Sequence, residues 1–251
     1  MARTPELFLE RMTWPDVEAA LANGTTTAVV ACGAIEQHGP HLPLFVDAEH
    51  GTRLAEEVAR RLGHALVAPT IRVGCSEHHM AFPGTISYQP STFRSVCLDY
   101  TISLARHGFR KVCFIPSHGG NFKPLTDMLD DLRTAAGETC EVVAFTDLIA
   151  VLSLWRRVTE AEVGLGARVG GHADIAESSI ILSLYPELVK QAEAEPGYLP
   201  NLEEHVIDRI MTDGFKTVTP NGILGDARGM TERIGERCIE EFADVLAAHF
   251  R

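Results

Sequence analysis

A β-branched, almost wholly apolar run, Thr26 to Cys32 (TTAVVAC), is followed at once by the loop GAIEQHGPHLPLFVD, Gly33 to Asp47. A strand apolar on both sides suits a parallel sheet covered on both faces. Such sheets bind ligands beyond the C-terminal ends of their strands. At that end the loop holds Glu36, His38, His41 and Asp47, two carboxylates and two imidazoles within twelve residues. Oxygen and nitrogen donors of this kind suit zinc, iron or manganese. A metal-dependent enzyme is the leading reading of this loop alone.

Periodicity predicts helices over Pro15–Asn23, Ala48–Leu62, Pro90–His107, Phe122–Thr134, Thr146–Trp155, His172–Leu184 and Met230–His249. Short apolar runs predict strands over Leu66–Ala68, Lys111–Ile115 and Glu141–Phe145. Strand and helix alternate, as in an α/β fold with a mostly parallel sheet in a three-layer α/β/α sandwich. With 251 residues and 45% hydrophobic content, one domain spanning 1–251 is expected. Glu187–Gly225, rich in Glu, Pro, Gly and Asn, reads as a surface excursion.

Two further clusters carry chemistry. The Lys111–Ile115 strand ends in PSHGGN, which brings His118 to the same rim as Glu36 and His38. The segment GHADIAESS offers His172 for acid–base work and Glu177 as a ligand, while Asp174 could cap the helix instead. Several positions admit two roles. Asp47 is either the N-cap of the next helix or a carboxylate bridging two ions. Asn121 either ties the loop to backbone groups or orients a substrate carbonyl. His78, in the His78–His79 doublet, either lines a pocket or bonds within its loop. Trp155 either caps a flat substrate or packs. His41 is a candidate substrate contact. The glycine-rich stretch Glu160–Gly171 is a candidate flap or a partner-subunit contact. Two ions bridged by Asp47 would direct a shared hydroxide at a polarised carbonyl, with an imidazole moving the proton to the leaving nitrogen.

Other classes find less support. Net charge is −12, from 22 Lys+Arg against 34 Asp+Glu, and Arg106–Lys111 is a helix end rather than a nucleic-acid patch. No G-x-S-x-G, H-E-x-x-H or G-x-G-x-x-G motif occurs. The six cysteines are dispersed, with Cys32 and Cys113 in apolar strand patterns as core residues. The first residues lack a signal-peptide core and no run of 18 apolar residues occurs, so a cytoplasmic protein without membrane contact is expected.

GAIEQHGPHLPLFVD resembles the E-x-H-G-x-H-L-P-x-x-x-D signature of the creatininase (creatinine amidohydrolase) family, and FPGTIS, SHGGN and HADIAES follow in the family's order. The resemblance covers residues 10 to 247. It implies an α/β/α amidohydrolase that forms homo-oligomers, often hexamers, and hydrolyses small-molecule cyclic amides, formamides or small peptide bonds with paired divalent metals. By position, one ion would take Glu36, Asp47 and His118, and the other His38, Asp47 and Glu177. His172 matches the histidine of proton transfer and substrate contact. One departure stands out: creatininase proper carries a metal-binding glutamate where this chain has Gly120, which leaves Glu177 to complete the set. The chain therefore resembles the other branches more. These include a formamide hydrolase of a ribosylaminopyrimidine intermediate, a peptidase of mycofactocin maturation, and hydrolases of inositol-derived ketones. The first would need a phosphate grip from Arg72, Arg94 or Lys123. The resulting expectation is a dinuclear hydrolase of a small-molecule C–N bond. The alternatives are hydrolysis of a cyclic ketone or lactone, a peptidase, or a non-catalytic metal- or ligand-binding protein.

Overall fold

Successive residues of the first strand serve two different cores. In the computed structural model, which describes residues 6–199 and 203–251, helix α1 (Trp14–Ala22) precedes strand β1 (Thr27–Cys32). There follow α2 (Val46–Leu62), β2 (Ala65–Val67), α3 (Pro90–Arg106), β3 (Lys111–Pro116), α4 (Gly119–Ala136) and β4 (Glu141–Ala144). The chain closes with α5 (Leu148–Val163), β5 (Val169–His172), α6 (Ile175–Leu184), α7 (Glu204–Asp213), β6 (Leu224–Gly225) and α8 (Glu232–Phe250). Val29, Ala31, Cys113 and Ile115 face a core built with α2, α5, α6 and α8. Ala28, Val30, Cys32, Val112 and Phe114 face a second core built with α3 and α4. This alternation is the pleat of a strand buried on both sides, and it makes the sandwich three layers deep.

The main sheet is wholly parallel, in the order β2-β1-β3-β4. Thr27 pairs with Lys111 and Cys32 with Pro116, so β1 and β3 end side by side. The loop after β1 and the turn after β3 therefore emerge next to each other. A separate antiparallel pair, β5 and β6, stands apart from this sheet.

Two elements differ from expectation in ways that matter for function. Helix α6 begins at Ile175, not His172, because Ala173 takes φ 52° and Asp174 caps the helix through Ala176 N–H and Glu177 N–H. A non-glycine residue in this left-handed region is strained and reverses the chain sharply. Helix α6 is buried from Ile175 to Leu182, so its polar residues Glu177, Ser178 and Ser179 lie inside the protein. The Glu187–Gly225 stretch supplies α7 and β6, and it is not merely surface. All six cysteines are buried and unpaired. No helix among the described residues is long and apolar enough to cross a membrane.

Helix α8 reaches α6 through a backbone contact. A Cβ on Gly235 would lie 2.0 Å from Ser179 O. Gly235→Ala must push the two helices apart, and overpacking of this sort costs about 1–3 kcal/mol. Urea unfolding should show a lower midpoint with an unchanged slope.

Candidate metal centre

Four chain segments deliver polar side chains to one buried point. Glu36 and His38 leave the end of β1 on a loop tied by Gly33 N–H to Ile71 O and by Glu36 N–H to Leu44 O, both at 2.9 Å. Asp47 lies inside the first turn of α2, whose N-cap is Phe45. The N-cap role is thus not its own, because the helix starts two residues earlier than the sequence pattern predicts. His118 occupies the N-cap position of α4, directly beyond β3. Glu177 sits in the first turn of α6.

The atoms that face one another are all acceptors or bare ring nitrogens. Asp47 Oδ1 lies 3.3 Å from His38 Nε2, and Asp47 Oδ2 lies 3.2 Å from His118 Nδ1. Glu36 Oε1 is 3.3 Å from His118 Nδ1, and Glu177 Oε2 is 3.7 Å from His38 Nε2. The opposite ring nitrogens are already engaged: His38 Nδ1 donates to Glu36 O at 3.2 Å, and His118 Nε2 to Cys75 O at 3.0 Å. Such outer hydrogen bonds hold an imidazole with its other lone pair free for a metal. Two donors about 2.1 Å from one tetrahedral ion stand about 3.4 Å apart, which these separations match.

Both Glu36 carboxylate oxygens, Asp47 Oδ2 and His38 Nε2 are buried with no hydrogen-bond partner. Leaving ionised groups buried and unpaired is expensive, so this cluster calls for positive charge. The proton affinities carry the same message. Burial disfavours a charged His38, yet Asp47, Glu177 and Glu36 outweigh it and lift the ring to about 9. Burial likewise opposes charge on His118, which Glu36 and Asp47 nevertheless raise well above the ordinary histidine value. Burial would raise Asp47, but His38 and His118 hold it well below the usual carboxylate range. Glu177 is pushed up to about 8 by burial, against the pull of His38. Without a cation, the carboxylates draw protons onto the imidazoles in its place. Metal binding releases such protons.

Around this centre lies a cavity of about 240 Å³. Glu36, Asp47, His118, His172 and Glu177 line its polar wall, and α5 and α7 form an apolar wall with Val151, Trp155, Ile207 and Met211. His172 lies at the end of β5, with Nδ1 3.8 Å from Glu36 Oε1. His78 lines the cavity and stacks on His118 at 5.7 Å and 9°. Trp155 also lines it, from the middle of α5 rather than near a helix end, with its ring beside His50 at 5.7 Å.

Other expected residues fall elsewhere. His41 is not among the cavity-lining residues; its Nε2 meets Ser178 Oγ at 2.7 Å and braces the loop on α6. Asn121 does not line the cavity either. Its amide donates to Cys32 O and Gly33 O, and its oxygen accepts from Cys75 N–H, each at 3.0 Å. The loop-tying alternative is the one its geometry serves. Glu160–Gly171 is no free flap: it comprises the end of α5, a short 3-10 turn and most of β5.

Sequence reasoning passed over three contributors. His79, not only His78, reaches the centre, with Nε2 3.3 Å from Glu36 Oε1. His50 is buried against Trp155, one turn beyond Asp47. Helix α7 walls the cavity from the segment that reads as an excursion. The His78–His79 doublet was the available signal for the first, and helical spacing from Asp47 for the second.

Gly120 carries a clear steric constraint. A Cβ there would lie 2.3 Å from Cys75 O and 2.5 Å from His118 Nε2, so a glutamate could not stand at this position without moving backbone.

Comparison with known proteins agrees with this architecture. The creatininase family model, described as creatinine amidohydrolase, matches residues 10–250. Creatinine amidohydrolase of Pseudomonas putida is 29% identical over 263 residues, covering 97% of each chain. The mycofactocin precursor peptide peptidase of Mycobacterium ulcerans is 30% identical over 242 residues, covering 92% of this chain and 83% of that one. A solved creatininase superposes with a TM-score of 0.78 at 28% identity, covering 98% of this chain and 99% of its own. Similar solved creatininases include a manganese form and a zinc–zinc form. The chain belongs to the creatininase family of metal-dependent amidohydrolases.

Proposed function

We propose that this protein hydrolyses the C–N bond of a small uncharged amide, cyclic or a formamide, at a centre that holds two divalent cations. The observation that carries the reading is the orientation of Asp47, whose two oxygens face two different imidazoles, His38 and His118. Glu36, Asp47 and His118 would hold one ion, and His38, Asp47 and Glu177 the other, with Asp47 as the bridge. The contacts of Asp47 with His38 and His118, the ligand spacing of Glu36, Asp47 and His118, the orphaned Glu36 oxygens and the manganese and zinc–zinc forms of solved creatininases support this assignment. Bound there, divalent cations supply carbonyl polarisation and acidify water near neutral pH.

The remaining work falls to the chain. His172, on the cavity wall beside Glu36, takes the proton of the water that adds to the carbonyl carbon and delivers it to the departing nitrogen. A formamide yields formate and an amine, and a cyclic amide opens to one product that carries both the carboxylate and the amine. The apolar wall of α5 and α7 orients the substrate and excludes bulk water. The lining includes no lysine or arginine among the described residues, which supports a substrate without an anionic group. The three candidate cations for a phosphate grip are engaged elsewhere: Arg72 with Glu49 at 2.7 Å, Arg94 with Asp131 at 2.8 Å, and Lys123 with Asp127 at 2.7 Å. A phosphorylated substrate therefore finds no support.

The test is a panel of lactams, formamides, short peptides and lactones assayed with metal-replete protein, with metal content measured on the same sample. Two ions per chain and turnover of the neutral lactams or formamides is the expected result. Turnover confined to lactones would overturn the C–N bond class, and turnover confined to peptides would overturn the cyclic-amide or formamide substrate. His172→Gln should keep both ions and lower kcat by about 10²–10⁴. An unchanged kcat would remove His172 from proton transfer.

A further inference from the structure

We propose that Gln37 is a positioning residue that holds His79 and His172 in the same Nε2–H tautomer while turning opposite edges of the two rings to the cavity. His172 then presents a bare Nδ1 that only accepts, and His79 presents an Nε2–H that only donates. The kinetic consequence rests on the hydrolase reading above; the tautomers themselves do not.

The Gln37 side chain is buried between the signature loop and the residues preceding β6. Two backbone groups set its orientation. Gly39 N–H donates to Gln37 Oε1 at 2.9 Å, and Gln37 Nε2 donates to Gly222 O at 3.1 Å. Turning the amide over would set donor against donor at Gly39 and acceptor against acceptor at Gly222. With the amide so fixed, Nε2 has one hydrogen left and two imidazoles within reach, His79 Nδ1 at 3.0 Å and His172 Nε2 at 2.9 Å.

Gln37's own main chain decides between them. His172 Nε2 also lies 2.9 Å from Gln37 O, which can only accept. Were the side-chain hydrogen given to His172, that nitrogen would be bare and Gln37 O would lose this donor. His79 Nδ1 would then lose its donor too. Given to His79, it leaves every group satisfied: Gln37 Nε2–H donates to His79 Nδ1, and His172 Nε2–H donates to Gln37 O. Buried polar groups overwhelmingly find partners, so the second arrangement is the stable one. With Nδ1 accepting, the His79 ring carries a single proton and is neutral, and His172 Nδ1 makes no hydrogen bond to Glu36 Oε1, which is 3.8 Å away.

Packing holds the edges in place. The two rings lie 4.7 Å apart, and Phe215 stacks on His79 at 4.2 Å while meeting His172 edge-on at 4.8 Å. A ring flip that exchanged the nitrogens would have to open this sandwich. One consequence concerns metal binding. Glu36, His79 and His172 have the spacing of a ligand group, as do His38, His172 and Glu177. With its proton on Nε2, which lies 3.3 Å from Glu36 Oε1, His79 has no lone pair to offer there. It is a donor beside the carboxylate, not a ligand.

Zinc-loaded protein labelled with ¹⁵N and ¹³C provides the test, through long-range imidazole correlations that report which nitrogen carries the proton. His79→Gln and His172→Gln spectra assign the two rings. Both rings should appear as Nε2–H in the wild type. Gln37→Glu removes the donor, so His79 should switch to Nδ1–H while His172, held by main-chain oxygen, stays Nε2–H. Metal content should be unchanged and kcat about 10–100-fold lower, the usual loss for an outer-shell partner. An Nδ1–H tautomer of either ring in the wild type would overturn the proposal, whatever the substrate. So would a Gln37→Glu variant in which His79 stays Nε2–H. If both tautomers behave as expected but kcat in the variant is unchanged, Gln37 has no positioning role in catalysis and the hydrolase reading stands.

Discussion

Asp47→Ala is expected to strip both ions from the protein and to lower turnover by about 10⁴ or more, the scale of losses when a catalytic unit collapses as a whole. The reason is that Asp47 is the one carboxylate whose oxygens face both imidazoles, at 3.3 Å for His38 and 3.2 Å for His118. Glu177→Gln provides the contrast. It touches only the His38 side, at 3.7 Å, and should cost one ion while the Glu36–Asp47–His118 group keeps the other. Elemental analysis of dialysed samples, set beside kcat, reads both outcomes. Two ions retained by Asp47→Ala would sink the bridged arrangement. Equal losses in the two variants would mean that the ions bind as an inseparable pair.

The clustering of the candidate ligands was legible because strand chemistry and ligand chemistry coincide in one stretch. An all-apolar β1 can only run through the middle of a sheet, and whatever follows it must emerge at the ligand-binding rim. The alternating faces of Val29 and Val30, one to each core, bear out the sandwich. Asp47 was ambiguous because a helix start and a ligand use the same residue type. Phe45 as N-cap removes the capping alternative, and nothing in local composition signals that a helix will begin on an aromatic residue. Asn121 and His41 show the limit of reading motif neighbours as substrate contacts. Both lie in the motif segments, yet their partners are Cys32 O and Ser178 Oγ, contacts 89 and 137 residues away along the chain. The role of α7 was hidden for a related reason. Ile207 and Met211 reach the cavity only because β6 pairs with β5 and brings the excursion back over the site, and pairing between distant strands leaves no local trace.

Metal removal should destabilise the protein strongly, and Glu36→Gln should reverse its effect on stability when the metal is removed. A ligand that binds only the native state adds RT ln(1 + [L]/Kd), about 4 kcal/mol per site at a thousandfold excess over Kd. Two sites then contribute about 8 kcal/mol, and for a chain of this length each kcal/mol moves Tm by roughly 2–4 °C. Chelation should therefore lower Tm by roughly 15–30 °C. Glu36 is fully buried with neither oxygen hydrogen-bonded. In excess metal that carboxylate would serve as a ligand, and Glu36→Gln should melt below the wild type. In chelator it is a buried carboxylate facing His118 Nδ1 and His79 Nε2, each at 3.3 Å. Removing one charge of such a pair usually leaves the partner stranded, but His118 can shed its proton and become neutral. The variant then avoids burying two ions and should melt at or above the wild type. Differential scanning calorimetry of the two proteins in zinc and in chelator gives all four values. The crossing of the two orders is the diagnostic result. If Glu36→Gln melts below the wild type by the same margin in both conditions, Glu36 is a packing residue and the cation belongs elsewhere.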